Sequence, residues 1–579
     1  MKGLFSFFLT FFTISYSLFA QNPIYDWAGS VIGGSSTQVY SLTVDDNGNV
    51  YSAGLCSGFI DIDPEPGVVT PPNDLGSEGF VQKLDANGTL QWYFMVGENT
   101  SNYARILQVS VGKSGNILAL GEFYGTIDFD PGPGVVVLDA SPNGNALGGF
   151  LLTLDPAGNF LSVVQVVPAW AFDEDDNENL YFTGRFSGSI DRDPGPGVQT
   201  ITSLGSFNSY AYCLDQQRNL KWFRHFETAG SFSSWDVAAD GQGNSWYTGH
   251  FGGTVDCDPG PGSTLLTSEG RSDVFVVNLD AQGQLVWGES AGGTNTDEAQ
   301  AIKIDPQGNI VIGGTMGSAT ADFDFGPALV TLSNPLEGTS QFFVAKYTST
   351  GDIVYAKSMG LVFSSRTKDR IDVDAYGQVY ATGNFYNEVD LDPGLEVDLR
   401  NPSGAVDQFV LKLNANGSRA WVTTVGGTTN DDQVSGTNIA VSQSGDVWTT
   451  GTLRGTIDFD PGPGVATIQE GGSSTANNIS IFKLKQVIFP VSAGQDLSPS
   501  GDGIQPYPNP SNGWVSLELE SQAGAGEIHV CDMEGRLVKV VPLPATNRFD
   551  VELPAAAGVY FLEVMGDNKT YPPVKVIRL

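Results

Sequence analysis

The eight residues IDFDPGPG occur at Ile127–Gly134 and again, unchanged, at Ile457–Gly464. Relatives of the phrase lie around and between them: IDID at Ile60–Asp63, IDRD at Ile190–Asp193, VDCD at Val255–Asp258, ADFD at Ala321–Asp324 and VDLD at Val389–Asp392. Their first aspartates follow one another at intervals of 63 to 68 residues. Seven copies at so regular a spacing mark a supersecondary unit repeated along the chain, each copy needing a neighbour to bury its apolar face.

Two further phrases keep the same period. One precedes the acidic phrase, as in VDDNGNVYSAG (Val44–Gly54) and VSQSGDVWTTG (Val441–Gly451); the other follows it, as in FVQKLDANGTLQW (Phe80–Trp92) and FVLKLNANGSRAW (Phe409–Trp421). Each is an apolar strand, a tight turn of Asp, Asn and Gly, and a second alternating strand. Every unit thus supplies four antiparallel strands, a to d, which is the content of a propeller blade, with the acidic phrase inserted between b and c. The seventh unit stops after strand c, ISIFKLK (Ile479–Lys485). Its missing strand d stands at the front of the chain, in IYDWAGSVIGG (Ile24–Gly34), where Trp27 matches the strand-d residues Trp92, Trp222, Trp287, Tyr355 and Trp421; Ser162 is the exception. The expected fold is all-β: a seven-bladed propeller of four-stranded blades, closed by an N-terminal strand, then a small C-terminal β-sandwich. The strand-d aromatics are expected between blades.

Two aspartates separated by one residue on an extended segment face the same side, about 6.6 Å apart. Their repulsion in water is only about 0.6 kcal/mol, so the pair needs no metal to exist. The repeated pairs are Asp61 and Asp63, Asp128 and Asp130, Asp191 and Asp193, Asp256 and Asp258, Asp322 and Asp324, Asp390 and Asp392, and Asp458 and Asp460. Two readings are open. The carboxylates accept backbone N–H bonds in Asx-type turns, or they bind a hard cation, Ca²⁺, through oxygen ligands. Turn formation alone would not require both acids. Strand parity puts all seven phrases on one face with the d-to-a connections, the face expected to bind. Seven near-identical sites argue against catalysis there.

The net charge of −37 argues against nucleic acid or an anionic membrane as partner. The three histidines, His225, His250 and His529, sit beside no nucleophile motif, and no metalloprotease or phosphate-loop pattern occurs. The acidic run AFDEDDNENL (Ala171–Leu180) aligns with the a–b turns of its siblings and is expected to be one. Cys56, Cys213, Cys257 and Cys531 hold unlike positions and are expected as buried free thiols. Residues 1–20, one Lys followed by a Phe-rich apolar stretch, read as a secretory signal cut after Ala20 or Ser17.

The repeats are expected to fill 21–486, a Gly/Ser/Pro-rich linker 487–506, and a β-sandwich 507–579. In that last segment Pro508-Asn509-Pro510, the Asp532 to Gly535-Arg536 turn, Gly558-Val559-Tyr560-Phe561 and Lys575-Val576 occur in order. The segment resembles the C-terminal sorting domain of the Bacteroidetes type IX secretion system, although Pro572-Pro573 before the last strand departs from its pattern. That resemblance implies the secretion translocon and its processing machinery as partners, passage across the outer membrane, removal of the domain, and attachment to surface lipopolysaccharide or release. The seven units likewise resemble the bacterial β-propeller repeat (SBBP-like) family, which brings no activity with it. The expectation is a secreted or cell-surface, non-enzymatic binding or adhesion propeller whose ligand is a glycan or a protein. Open beside it are a glycan-active hydrolase or lyase with acids in the central funnel, and a structural surface component.

Overall fold

Alternating apolar and polar residues on either side of a tight Asp/Asn/Gly turn dictate antiparallel pairs, and the computed structural model is built of them throughout. It describes residues 19–20, 22–33, 37–58, 60–71, 77–97, 102–140, 147–193, 198–334, 339–361, 370–394, 397–462, 464–469, 478–486, 488–489, 505–507, 514–518, 526–531, 537–543, 546, 548–553, 558–566, 569–570 and 574–578. These are strands, turns and bends, with no helix among them. They divide into two compact units, Ile24–Lys485 and one that includes Gln486–Leu579.

In the larger unit seven antiparallel sheets share the strand order a-b-c-d, spanning 38–96, 104–166, 171–226, 231–293, 297–361, 371–427 and 433–485. The last takes its fourth strand from Ile24–Val31, which pairs with Asn478–Lys485 from Ile24 against Lys485 to Val31 against Ile479. The a–b turns repeat one device. The Asp45 carboxylate accepts the N–H of Asn47 and Asn49, the Asn49 amide and the Tyr51 hydroxyl. Asp175 makes the same four bonds with Asn177, Asn179 and Tyr181, so the acidic run at 171–180 is an ordinary turn of the scaffold.

The apolar layers lie between consecutive sheets. One cluster joins Val274 and Val276 of the fourth sheet to Ile302, Ile312 and Phe343 of the fifth. Another joins Trp448, Ile479 and Ile481 of the seventh to Val39, Leu42 and Val50 of the first. Strand-d aromatics add a clasp. A Cβ built on Gly88 would lie 2.2 Å from the Trp27 indole, and Gly158, Gly283 and Gly417 meet Trp92, Trp222 and Tyr355 as closely as 2.5 to 2.7 Å. These glycines have positive φ in the c–d turn of the sheet that follows the aromatic residue. The indole N–H of Trp92, Trp222 and Trp287 donates to the carbonyls of Pro156, Ala281 and Ser349 in those same turns, each at 3.1 Å. The strand-d aromatics therefore pack between sheets.

The smaller unit packs a three-stranded sheet (Gln505–Tyr507, Trp514–Glu518, Arg548–Glu552) and a larger one around Gly558–Gly566 over a core of Val515, Leu517, Ile528, Val530, Val551, Tyr560, Leu562 and Val564. Lys575 pairs with Phe561 in the last strand, Val574–Arg578, despite the prolines before it. Pro508, Asn509, Pro510 and Gly535 lie outside the described residues, as does nearly all of the signal segment. Cys56, Cys213 and Cys257 are free and buried, and burial pushes each thiol up to about 12.

Candidate functional site

The acidic phrases fold as short hairpins rather than open loops. Thr126–Asp128 pairs with Val137–Asp139, and Thr456–Asp458 with Thr467–Gln469. Several reach back to strand d of the preceding sheet: Gly292 pairs with Asp322, Gly426 with Asp458, and Ile32 bridges Asp61. The residue between the two acids turns inward, as with the buried Ile62, Phe129, Cys257, Phe323, Leu391 and Phe459.

Both acids have a task in the hairpin, contrary to the expectation that turn formation needs only one. In all seven copies Oδ1 of the first aspartate accepts the N–H two residues on, at 3.0 to 3.4 Å. The same oxygen accepts the N–H eight residues on, at 2.8 to 2.9 Å, which closes the hairpin. The second aspartate accepts the N–H two residues beyond itself at Asp63, Asp130, Asp258, Asp324, Asp392 and Asp460. Asp392 Oδ2 also faces Arg419 at 2.9 Å, and a pair of carboxylates so engaged falls short of the six to eight oxygens that calcium takes. Among the described residues no three His, Cys, Asp or Glu side chains gather as a metal group. The two acids of a copy do not by themselves complete a Ca²⁺ shell. Asp128→Ala should therefore destabilise the protein by about 1–3 kcal/mol, the cost of stranding two N–H donors. Millimolar calcium should leave the midpoint of thermal unfolding unmoved, in wild type and variant alike; a calcium-dependent rise would return the metal reading.

Between the a-strands of the sheets a cavity of about 260 Å³ is walled by Thr43, Ser110, Asp173, Lys303 and Asp372. Its acids tie sheet to sheet: Asp173 accepts the N–H of Ala239, Asp236 that of Ile302, and Asp372 that of Val441. Burial raises the Asp173 carboxyl, opposed by the N–H bonds of Ala239 and Glu174 and by Lys303.

At one end of the a-strands the repetition breaks. Strand b carries a glycine in every copy, at 54, 121, 184, 249, 314, 383 and 451. At Gly54, Gly249, Gly314 and Gly451 a Cβ would fall 1.8 to 2.0 Å from a strand-a carbonyl oxygen, beside a β-bulge in strand a. A bulge re-aims the side chain it carries. The bulged residues include Tyr40, Trp235 and Gln300, and the residues after the glycines are Leu55, Glu122, Arg185, His250, Thr315, Asn384 and Thr452. The same two positions in each sheet thus carry different chemistry.

Their richest stretch runs over the second to fifth sheets. The Arg185 guanidinium lies 4.9 Å from the Trp170 ring, 4.5 Å from Phe207 and 4.6 Å from Trp235. Trp170 and Trp235 meet edge to face at 4.4 Å. The Trp235 indole N–H donates to His250 Nδ1 at 3.0 Å, which places the imidazole hydrogen on Nε2, and Glu298 Oε1 stands 3.8 Å from the same Nδ1. Alongside, Arg105 donates twice to Glu122 Oε2, at 2.6 and 3.1 Å, and Tyr103 stacks on Tyr124. Most of this cluster is buried or half-buried; Phe207 and Arg105 are its exposed edge. Of this cluster the sequence marks His250 alone, as a histidine beside no nucleophile motif. The available signal was the changing residue after an unchanging glycine.

Residues 505–577 match the secretion system C-terminal sorting domain family, and residues 29–57 the beta-propeller repeat family. An uncharacterized WD repeat-containing protein, L264, of Acanthamoeba polyphaga mimivirus is 20% identical over 74% of the chain, which spans only 36% of that relative's length. Among solved structures, a fungal alcohol oxidase of the AA5 family, in complex with copper, aligns over 96% of this chain and 98% of its own at 11% identity and a TM-score of 0.37. The β-propeller domain of the Trilobed protease from Pyrococcus furiosus aligns over 76% and 97% at 9% identity (TM-score 0.35), and a polysaccharide lyase of the PL25 ulvan lyase family over 77% and 98% at 9% (TM-score 0.36). The chain carries bacterial β-propeller repeat sequence and a type IX secretion sorting domain, which directs it to the secretion machinery and so to the cell surface or the extracellular space.

Proposed function

We propose that the seven sheets are the blades of one ring, closed where Ile24–Val31 completes the seventh, and that this ring is a non-enzymatic binding protein whose ligand docks at the mouth of the central channel. In this reading residues 1–20 serve export, 21–486 form the propeller, 487–506 link, and 507–579 address the product. The observation that carries it is the concentration of unlike aromatic, basic and acidic side chains at positions where everything around them repeats. Binding sites of this kind combine aromatic faces with a few placed polar groups. The acids of the channel wall hold backbone N–H groups of neighbouring sheets, which supports binding over hydrolysis.

A second reading, adhesion through the hairpins, is favoured by one observation. Val68, Val135, Val198, Leu329, Val397 and Val465 hold the same place after the hairpin bend and are 70 to 78% exposed. A glycan and protein array probed with the secreted chain and with Trp170→Ala/Arg185→Ala separates the readings. Binding without product release, at least tenfold weaker in the variant, is the expected result. Cleavage of a bound glycan would establish the enzyme, and binding lost only when the six aliphatics become serine would establish the hairpins.

A further inference from the structure

We propose that the mouth takes a neutral saccharide, laid against the Phe207 ring and held through its hydroxyls by Arg105, Glu122 and Glu298; this rests on the binding reading above. The charges in the arc balance. Arg105 faces Glu122 at 2.6 Å, Arg185 is enclosed by three rings and reaches Ser233 Oγ at 3.4 Å, and Glu298 stands 3.8 Å from His250 Nδ1. His250 accepts the Trp235 N–H on Nδ1 and is neutral in that arrangement. Two guanidinium groups against two carboxylates leave no net field to select a uronate, a sulfate or an ammonium group.

The long-range field points the same way. A net charge of −37 repels polyanions before they reach the mouth, so an acidic polysaccharide would have to overcome the whole protein to gain one guanidinium already paired. A neutral sugar meets no such barrier. Its C–H faces suit the negative face of an exposed aromatic ring, which Phe207 offers at 36% exposure. Its vicinal hydroxyls both donate and accept, and so can bridge a guanidinium and a carboxylate held side by side, the arrangement of Arg105 and Glu122. Arg185 lies 4.5 Å over the Phe207 ring, so a strongly cationic ligand would meet a like charge there.

The test uses the full secreted chain and Phe207→Ala, titrated with neutral oligosaccharides (β-1,4- and β-1,3-glucan, mannan and xylan fragments) and with polyanions (polygalacturonate, alginate, chondroitin sulfate) at low and high salt. Neutral sugars should bind with an affinity indifferent to salt and at least tenfold weaker in Phe207→Ala, whose unfolding midpoint should match wild type. Preference for polyanions, weakening with salt, overturns the neutral assignment and leaves the binding reading intact. Neutral-sugar binding unchanged in Phe207→Ala overturns the mouth as its place. If no saccharide binds while a protein ligand is lost in Trp170→Ala/Arg185→Ala, the saccharide is overturned and the binding reading stands.

Discussion

A chain lacking residues 24–33 should fail to accumulate as folded protein. The strand Ile24–Val31 pairs with Asn478–Lys485 along its length, and its continuation holds Asp61 N–H on the Ile32 carbonyl at 2.8 Å. Trp27 packs 5.7 Å from Trp448 and over Gly88, and Asp26 pairs with Lys483 at 2.8 Å. About six backbone bonds at about 1 kcal/mol net each, with Trp27 and Val31 at about 2 kcal/mol apiece, place the loss on the order of 10 kcal/mol. That equals the whole stability of a typical domain. The deletion would also strip cover from Ile479, Ile481 and Phe482 and leave Asn478–Lys485 as an open apolar edge, a template for aggregation. Soluble yield and size-exclusion profile of the deleted chain, with and without a synthetic peptide of residues 24–33, measure this. Monomeric protein with an unchanged unfolding midpoint would sink ring closure; recovery on adding the peptide would establish it.

What was legible in the sequence is what repeats. Period and turn chemistry located strands a to d in each copy, and alignment to siblings marked Asp175 to Glu178 as turn residues. The hairpin attachments were not legible. Gly292 opposite Asp322 is a pairing between one unit's strand d and the next unit's insertion, and no local pattern encodes the partner. The second acid's use was hidden for a related reason, since its N–H donor comes from the bend it helps to shape. The cluster was missed because comparing repeats rewards sameness, whereas Glu122, Arg185 and His250 stand out only as differences beside Gly121, Gly184 and Gly249. The bulge that aims Trp235 leaves no composition signal at all.

Gly158→Val should cost about 4 kcal/mol and Gly158→Arg somewhat less, both read by chemical denaturation of the secreted chain. Gly158 has φ 85°, where a side chain costs about 1–2 kcal/mol and a β-branched one more. Its new Cβ would also arrive 2.5 Å from the Trp92 indole, forcing the ring off its seat and off the Pro156 carbonyl. The protein contains its own control. Strand d of the second sheet has the exposed Ser162 where others have Trp or Tyr, and the turn it faces in the third sheet has Arg218 at φ 66° where others have Gly. Once no indole needs the space, the glycine is no longer required, and the half-buried Arg218 lies near Glu174 and Glu178 instead. Copying that exchange, Trp92→Ser with Gly158→Arg, should therefore lose less than the sum of the two single changes, with a coupling of about 1–3 kcal/mol. Strict additivity would mean that ring and glycine do not share the space, and the strand-d aromatics would lose their role in locking each sheet to the next.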